Sequence, residues 1–361
     1  MNNSPSTPRY QFLGYLSSLA EVRTWLLDQN LESPWIGAIQ EHPFPIRLPL
    51  HYARLIDWSD PQDPLALMVL PTAREHTVMS YELADPIGDD DHEVVPGLIH
   101  RYTNRALLLL TMYCRVHCRF CFRRDVVSQV RPVDLTAIRT YLSTHPEIAE
   151  IIFSGGDPLS FLPAFLDQVL ADLPQREIRF HSRIPVVDPA SISLEMIQYL
   201  TQLARSTIVR IILHINHPKE LSPELRSLIA QLLQNGVLLQ SQTVLLKGVN
   251  DFSGVLFELW NELLNLGVKP KYLHHLDRAK GTDQFRLSFA DGMKIYSRET
   301  EHLPIHSLRY VIDLPAGHGK VDLASLTPIN LAEGRFKVLD KEGCAVEVVD
   351  PTLTSNVAEP F

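Results

Sequence analysis

The segment Y113-C-R-V-H-C-R-F-C-F-R-R124 holds three cysteines at C-x3-C-x2-C spacing. It directly follows the apolar run ALLLLTM at 106–112, which is typical of a buried strand. The sequence therefore predicts a strand that delivers three thiols to a loop at its carboxyl end.

Working outward, this strand is the first of six short apolar runs that have the spacing of βα units. The runs are ALLLLTM (106–112), EIIFS (150–154), IRFHSR (178–183), TIVRIILHIN (207–216), GVLLQSQTVLL (236–246) and KPKYLHHL (269–276). Amphipathic stretches separate them, such as 135–144 and 222–236, and Gly236 is predicted to end the second of these helices. Apolar strands that alternate with helices predict an α/β fold, a partial (βα)6-type TIM barrel with its chemistry at the carboxyl ends of the strands.

The remaining chain predicts two flanking parts. We expect an N-terminal helical and irregular region at 1–95, with a helix within 17–31, before a barrel core at 96–290. A C-terminal αβ extension is expected at 291–361. Its predicted strands are RYVIDL (309–314), RFKVLD (335–340) and AVEVVD (345–350).

Composition limits the class of protein. A formal net charge of −9 argues against a surface that coats nucleic acid, which needs a dense basic face. The first residues, MNNSPSTPRYQFLG, lack the pattern of a secretory signal, and the apolar runs are far shorter than the ~20 residues that cross a bilayer. Three clustered cysteines among four do not form a disulfide framework. We therefore expect a cytoplasmic protein with no membrane or nucleic-acid partner.

Three close thiols have two chemical interpretations. A structural zinc site needs four ligands, and His117 or the distant Cys344 would have to complete it. Three cysteines on a four-iron cluster instead leave one iron open to bind and reduce a ligand. The spacing and the arginine-rich flanks favour the open iron–sulfur cluster, with zinc or a purely structural role as alternatives.

Two further motifs are candidates for binding. FSGGDPL (153–159) follows the second strand, where its glycines either form a tight turn or let a ligand approach the backbone. DLPAGHGK (313–320) carries Lys320 in a glycine-rich turn. It is not a P-loop because Val321 stands where Ser or Thr is required. Lys320 is either a solvated surface lysine or the Schiff-base lysine of pyridoxal 5′-phosphate.

The cysteine motif and its flanks, HRYTNRALLLLTMYCRVHCRFCFRRD (100–125), closely resemble the lysine 2,3-aminomutase family of radical S-adenosylmethionine enzymes. The resemblance runs from about Val95 to the C-terminus and includes the branch that makes β-lysine for elongation factor P. It implies three cofactors: a [4Fe–4S] cluster, S-adenosylmethionine and pyridoxal 5′-phosphate. It also implies that a hydrogen is taken from C3 of lysine while the amino group moves from C2 to C3.

The resemblance assigns a role to each matching residue. The implied cluster ligands are Cys114, Cys118 and Cys121. The implied S-adenosylmethionine contacts are Ser154, Gly155, Gly156, Asp157, His214 and Gln242. The implied pyridoxal phosphate contacts are Lys320, Arg101, Tyr102 and Arg105, with Lys320 as the catalytic lysine. The implied substrate contacts are Arg123 for the carboxylate and Asp277 and Asp313 for the ε-ammonium.

Four positions depart from the family pattern. Phe120 replaces a phosphate-binding histidine, and His274 replaces a tyrosine. Ala316 and His318 stand where aminomutases usually have glycine. We therefore expect a partly rebuilt phosphate site.

These features predict an isomerase that interconverts L-lysine and β-lysine. The alternatives are a β-lysine-forming enzyme that serves elongation factor P and a 2,3-aminomutase for another amino acid. The expected partners are L-lysine and a reductant such as flavodoxin or ferredoxin, and whether the chain forms a homo-oligomer stays open.

Overall fold

An N-terminal layer of short elements precedes the main sheet. The computed structural model describes residues 14–171, 176–305 and 307–354. The expectation about a secretory signal concerns residues 1–13, which lie outside this range. The strands of this layer are β1 (Tyr15–Leu16) and β2 (Leu48–Pro49), which pair antiparallel. Its helices are α1 (Leu19–Asp28), α2 (Trp35–Ala38), α3 (Leu50–Ala53) and α4 (Pro64–Val69).

Within the described residues, ten strands form one sheet in which neighbours follow chain order. They are β3 (Glu93–Val95), β4 (Leu98–Tyr102), β5 (Arg105–Thr111), β6 (Glu150–Gly155), β7 (Glu177–Ser182), β8 (Val209–His214), β9 (Leu238–Val244), β10 (Lys269–His274), β11 (Arg309–Leu314) and β12 (Gly319–Asp322). Strands β5 to β11 run parallel, and β3, β4 and β12 add antiparallel edges. The six predicted parallel strands, and with them the partial (βα)6 barrel, are confirmed.

A helix follows each of the six strands from β5 to β10. The helices are α5 (Leu135–Thr144), α6 (Pro163–Leu170), α7 (Ile184–Val187), α8 (Leu194–Ser206), α9 (Pro223–Gln234), α10 (Val255–Asn265) and α11 (Phe289–Thr300). Local sequence sets their ends. Ser222 caps the first turn of α9 by accepting a hydrogen bond from Leu225 N, and Gly236 follows the helix at φ 81°, a conformation that glycine adopts without strain.

The C-terminal part both extends the sheet and forms a small one of its own. Strand β11 pairs in parallel with β10 and turns back antiparallel as β12, so the lysine-bearing motif closes one edge of the main sheet. The small sheet consists of β13 (Thr327–Asn330), β14 (Arg335–Leu339) and β15 (Ala345–Val349), followed by α12 (Pro351–Thr354). The division at residues 95/96 and 290/291 stays a prediction. None of the described helices is long and apolar enough to cross a bilayer.

Strand alternation separates the core from the interior cavity. In β7, Ile178 and Phe180 belong to the hydrophobic core, whereas Arg179 and His181 line the cavity on the other face. The sheet buries one face against the helices, so polar side chains can line its inner face. The polar residues at the strand ends therefore surround one cavity.

Candidate active site

A cavity of about 360 Å³ lies inside the barrel, and it is lined by every residue that the sequence assigned to a cofactor or to substrate. These residues come from β4, β5, β8, β9, β11 and β12, from β6 and the turn after it, from the loop after β10, and from the cysteine loop (residues 113–124). Parallel strands bring their carboxyl ends to the same edge, which is why residues far apart in sequence meet here. The structure thus brings the predicted set together.

The cysteine loop leaves β5 and enters this cavity. Burial raises the pKa of the Cys114, Cys118 and Cys121 thiols, that of Cys121 to about 12. Thiols in such surroundings become thiolates when a metal binds them, because the positive charge of the metal stabilises the anion that burial disfavours. No group of three or more His, Cys, Asp or Glu side chains in the described part of the chain converges on a single metal ion. An iron–sulfur cluster does not need such convergence, since it spreads its thiolates over several irons.

The Gly155–Gly156 motif is joined to the start of the cysteine loop by its backbone. Gly156 N donates to Thr111 O and Asp157 N donates to Tyr113 O, each at 2.7 Å. A Cβ on Gly156 would lie 2.1 Å from Tyr113 O. Glycine is therefore required here so that β6 can pack directly against the residue that precedes Cys114.

The Asp157 carboxylate is turned into the protein. It accepts hydrogen bonds from Ser182 Oγ at 2.6 Å and from the backbone nitrogens of Arg183, Ile184 and Leu159 at 2.7, 2.9 and 3.1 Å. Burial raises its pKa although these hydrogen bonds act to lower it. The Asp157 carboxylate thus braces the turn after β7, and its contact with S-adenosylmethionine stays a prediction.

Two polar residues end neighbouring strands and face the cavity. His214 ends β8, and its buried Nε2 atom has no hydrogen-bond partner among the described residues. Burial lowers its pKa well below the ordinary value, so its ring is neutral. Gln242 on β9 pairs in register with His214 and lines the same cavity. An unpartnered donor or acceptor that faces a cavity is suited to a bound ligand.

Lys320 and Asp313 face each other because they are register partners in the β11–β12 hairpin. Lys320 Nζ donates hydrogen bonds to the Asp313 carboxylate and, at 3.2 Å, to His274 Nδ1. Burial acts to raise the pKa of Asp313, but the Lys320 ammonium and His274 hold it well below its usual range. Asp313 is therefore an ionised carboxylate that already binds an ammonium group.

Asp277 lies in the loop after β10 and is the second carboxylate of this region. Burial and the nearby Asp313 raise its pKa to about 7. A bound cation stabilises the ionised form of a carboxylate whose pKa is raised in this way, because its charge offsets both the loss of solvation and the repulsion from Asp313. Together with Asp313 it forms a part of the cavity that is suited to a second ammonium.

Arg101, Tyr102 and Arg105 come together through the tight turn between β4 and β5, in which Tyr102 and Arg105 are register partners. The Arg105 guanidinium lies 4.6 Å from the centre of the Tyr102 ring, and Tyr102 Oη accepts a hydrogen bond from Lys320 N at 2.9 Å. The buried Nε atoms of Arg101 and Arg105 have no hydrogen-bond partner in the described ranges. These two arginines therefore fit a bound anion such as a phosphate.

Asp89 joins two arginines that the sequence assigned to different ligands. Its carboxylate binds Arg101 Nη2 at 2.9 Å and Arg123 at 2.5 Å from Nη2 and 3.1 Å from Nε. All three side chains are about nine-tenths buried. In the free chain, one internal carboxylate thus occupies both cations.

Comparison with curated proteins decides the family. L-lysine 2,3-aminomutase of Escherichia coli (strain K12) is 38% identical over 296 residues, 78% of this chain and 85% of that protein. L-lysine 2,3-aminomutase of Clostridium subterminale is 33% identical over 310 residues, 83% of this chain and 74% of that protein. The chain belongs to the L-lysine 2,3-aminomutase family.

Comparisons with protein-family models and with solved structures add little to this assignment. No protein-family model matches the chain. Among solved structures, a radical SAM methyltransferase from Sphaerobacter thermophilus is 18% identical, with a TM-score of 0.43 over 59% of this chain and 68% of that one.

Membership in the aminomutase family confirms the resemblance and makes the chain an isomerase of the radical S-adenosylmethionine type that acts on a small molecule. The cofactors of the family are a [4Fe–4S] cluster, S-adenosylmethionine and pyridoxal 5′-phosphate. The residues of this chain fit them: three half-buried thiols that line the cavity for the cluster, and a cavity lysine beside unpartnered guanidinium nitrogens for the pyridoxal group.

Sequence reasoning missed several residues that hold this aminomutase site in place. Asp89 lies in the acidic run DDD, where no pattern distinguishes the buried aspartate from its exposed neighbours. Glu75 and Glu220 are fully buried glutamates outside the strands, and Arg183 directly follows β7. Only Arg183 had a usable signal, since a charged residue at a strand end of a parallel barrel is a candidate for the site.

Phe120 and His274 mark the departures from the family pattern. The Phe120 ring is buried and packs edge-on against His214, with ring centres 5.7 Å apart, so it contributes no donor to a phosphate. His274 Nδ1 contacts Lys320 Nζ and lies 3.6 Å from Asp313 Oδ2. Its pKa is lowered by burial and by Lys320, so it is a neutral neighbour of the lysine.

Proposed function

We propose that the protein is a pyridoxal phosphate-dependent enzyme that interconverts L-lysine and β-lysine by moving the amino group between C2 and C3. Bound cofactors would supply a radical that takes hydrogen from C3 and an aldehyde that holds the migrating nitrogen. The residues of the chain bind, orient and isolate these groups.

The observation that carries the assignment is the Asp277 and Asp313 pair beside Lys320. Asp313 binds the ammonium of Lys320 in the free chain, so its environment is already suited to a lysine-type ammonium. When Lys320 is engaged by the cofactor, both carboxylates become available to the ε-ammonium of the substrate. A substrate with an uncharged side chain would leave two buried carboxylates unneutralised, which is costly.

The opposite end of the substrate is a carboxylate, and Arg123 supports its binding. Its guanidinium already makes a two-point contact with the Asp89 carboxylate through Nε and Nη2. The same fork would hold the carboxylate of an amino acid in place of Asp89. A guanidinium for the carboxylate and two carboxylates for the ε-ammonium together suit an amino acid with a cationic side chain.

The pyridoxal group would lie between Lys320 and the turn that carries Arg101, Tyr102 and Arg105. Lys320 would hold its aldehyde carbon, and the two guanidinium groups would bind its phosphate. Tyr102 fixes the distance between these parts, because its hydroxyl holds the backbone of Lys320. No donor comes from Phe120, so the phosphate depends on the arginines.

S-adenosylmethionine would lie over the cysteine loop, against Ser154, Gly155, Gly156, His214 and Gln242. The glycines bring backbone close to the loop, and His214 offers a free ring nitrogen. Cys114, Cys118 and Cys121 would leave one iron of a cluster open for the amino and carboxyl groups of this ligand.

The test is an anaerobic assay. The purified chain is reconstituted with iron and sulfide, reduced, and incubated with L-lysine, S-adenosylmethionine and pyridoxal phosphate, and β-lysine is measured by mass spectrometry. We expect product that is absent with Cys121→Ala and with Lys320→Ala. Cleavage of S-adenosylmethionine without β-lysine would contradict the substrate, and zinc without iron or acid-labile sulfide would contradict the cluster.

A further inference from the structure

Arg183 contacts one of the three cysteine sulfurs directly. It follows β7, its side chain is 5% exposed, and its Nη1 atom donates to Cys118 Sγ at 2.7 Å. Its guanidinium carbon lies 5.3 Å from the centre of the Phe120 ring, on the cysteine loop. Among the guanidinium groups in the described ranges, this is the one that hydrogen-bonds to a cysteine sulfur.

A fully buried carboxylate fixes this arginine in place. Glu220 Oε1 accepts from Arg183 Nη2 at 2.8 Å and from Tyr52 Oη at 2.8 Å, while its Oε2 accepts from the backbone nitrogens of Asn216 and His217 at 2.6 and 3.1 Å. Tyr52 belongs to the N-terminal layer and Glu220 to the segment after β8. Two separate parts of the chain, the N-terminal layer and the segment after β8, therefore hold one guanidinium against Cys118.

We propose that Arg183, positioned by Glu220, tunes the reduction potential of the cluster through Cys118. Reduction transfers one electron from a one-electron protein donor to the cluster, whose net charge falls by one unit. A buried cation that hydrogen-bonds to a ligand sulfur stabilises the more negative, reduced cluster and so raises its potential. Arg183 is thus a positioning residue with an electrostatic effect, and the proposal rests on the proposed function in that the cysteines bind a cluster.

Glu220 makes the proposal distinguishable from a purely structural role. Removal of the cation in Arg183→Gln leaves Cys118 with a neutral neighbour, whereas Glu220→Gln keeps the cation and removes its counter-charge. The two variants therefore shift the potential in opposite directions. Structural damage to the loop would shift both in the same direction or lose the cluster.

The test measures the midpoint potential of the reconstituted cluster by redox titration followed by electron paramagnetic resonance. With iron and sulfide content equal to wild type, we expect a more negative potential for Arg183→Gln, a less negative potential for Glu220→Gln and a smaller negative shift for Arg183→Lys. Arg335→Gln, which removes an arginine paired with Glu347 in the small C-terminal sheet, is the control with an unchanged potential.

Two outcomes overturn the proposal. One is an unchanged potential in Arg183→Gln with a full cluster. The other is loss of iron from all three variants while circular dichroism shows a folded chain, which assigns a structural role instead. If Arg183→Gln does not fold, the opposite shifts of Glu220→Gln and Arg183→Lys decide. Failure of the proposed function looks different, because the wild-type chain itself would then show no iron–sulfur signal.

Discussion

Lys320 Nζ hydrogen-bonds to the carboxylate of Asp313, its partner across the β11–β12 hairpin. The proposed lysine for the cofactor and a proposed carboxylate for the substrate are thus paired with each other in the free chain. This pairing neutralises a half-buried ammonium and a half-buried carboxylate until the cofactor takes the amine. Exchange of one ammonium for another at Asp313 is the central feature of the account.

Replacement of Lys320 separates the two functions of this pair. In Lys320→Ala we expect loss of the visible absorbance that arises when pyridoxal phosphate links to a lysine. Iron content should be unchanged, since the hydrogen bonds of Lys320 go to Tyr102, His274 and Asp313 and not to the cysteine loop. In Asp313→Asn the absorbance remains, but affinity for L-lysine falls at least about 30-fold, the equivalent of about 2 kcal/mol for a buried charge pair. Retained absorbance in Lys320→Ala contradicts the assignment.

The raised pKa of Asp277 predicts a pH dependence of lysine binding. Asp277 attracts an ammonium only when ionised, and its pKa in the free chain is raised to about 7 by burial and by Asp313. Affinity for L-lysine should therefore increase as the pH rises through about 7. In Asp277→Asn this increase should disappear, as measured by calorimetry of the pyridoxal-loaded chain. The same pH dependence in both proteins would assign it to another group.

The close approach at Gly156 predicts a sharp steric effect. Gly156→Ala places a methyl carbon against Tyr113 O, a backbone atom that cannot rotate away. We expect a loss of about 1–3 kcal/mol in the free energy of unfolding, together with reduced iron content, because the cysteine loop must shift. Gly37→Ala is the matched control: a Cβ there has no neighbour within 4 Å, so stability should stay equal or rise slightly. Equal stability of both variants contradicts the steric account.

Glu75 ties the N-terminal layer to the cysteine loop. Its fully buried carboxylate binds Arg119 through Nε at 3.0 Å and Nη2 at 2.6 Å, and Arg124 Nη2 at 2.7 Å. Glu75→Gln leaves two buried cations without a counter-charge, so we expect a loss of about 3–5 kcal/mol in denaturant unfolding. The exposed Glu301→Gln should change stability by less than about 0.5 kcal/mol. A small effect at Glu75 would show that water or another group compensates the arginines.

Local pattern predicted the barrel well. Apolar runs located β5 to β10, because strands buried on both faces carry a strong continuous signal. Helix α5 was predicted with its observed bounds at 135–144. Gly236 was predicted to end α9, and the structure ends that helix at Gln234, two residues earlier. The sequence also predicted strand 309–314, but not that it would pair with β10, since pairing depends on contacts far apart in the chain.

The site was predictable where a motif was local. The cysteine spacing singled out Cys114, Cys118 and Cys121 directly. The turn alone left Lys320 with two interpretations, and resemblance to the family favoured one of them and supplied the remaining residues, all of which line one cavity. Asp89, Glu75 and Glu220 could not be predicted, because burial turns an ordinary acidic residue into an ion-pair partner and burial is a property of the fold. Asp157 was assigned to S-adenosylmethionine from its motif. Its carboxylate instead accepts hydrogen bonds from the turn after β7, which the sequence did not indicate.

The most direct test of the central claim compares L-lysine with L-norleucine, which has the same carbon chain without the ε-ammonium. The measurement is kcat/KM for β-amino acid formation by the reconstituted enzyme. We expect a preference for L-lysine of at least about 30-fold in the wild type, because norleucine leaves Asp277 and Asp313 unneutralised. The preference should be strongly reduced in the Asp277→Asn, Asp313→Asn double variant. Equal kcat/KM for the two amino acids in the wild type would contradict it.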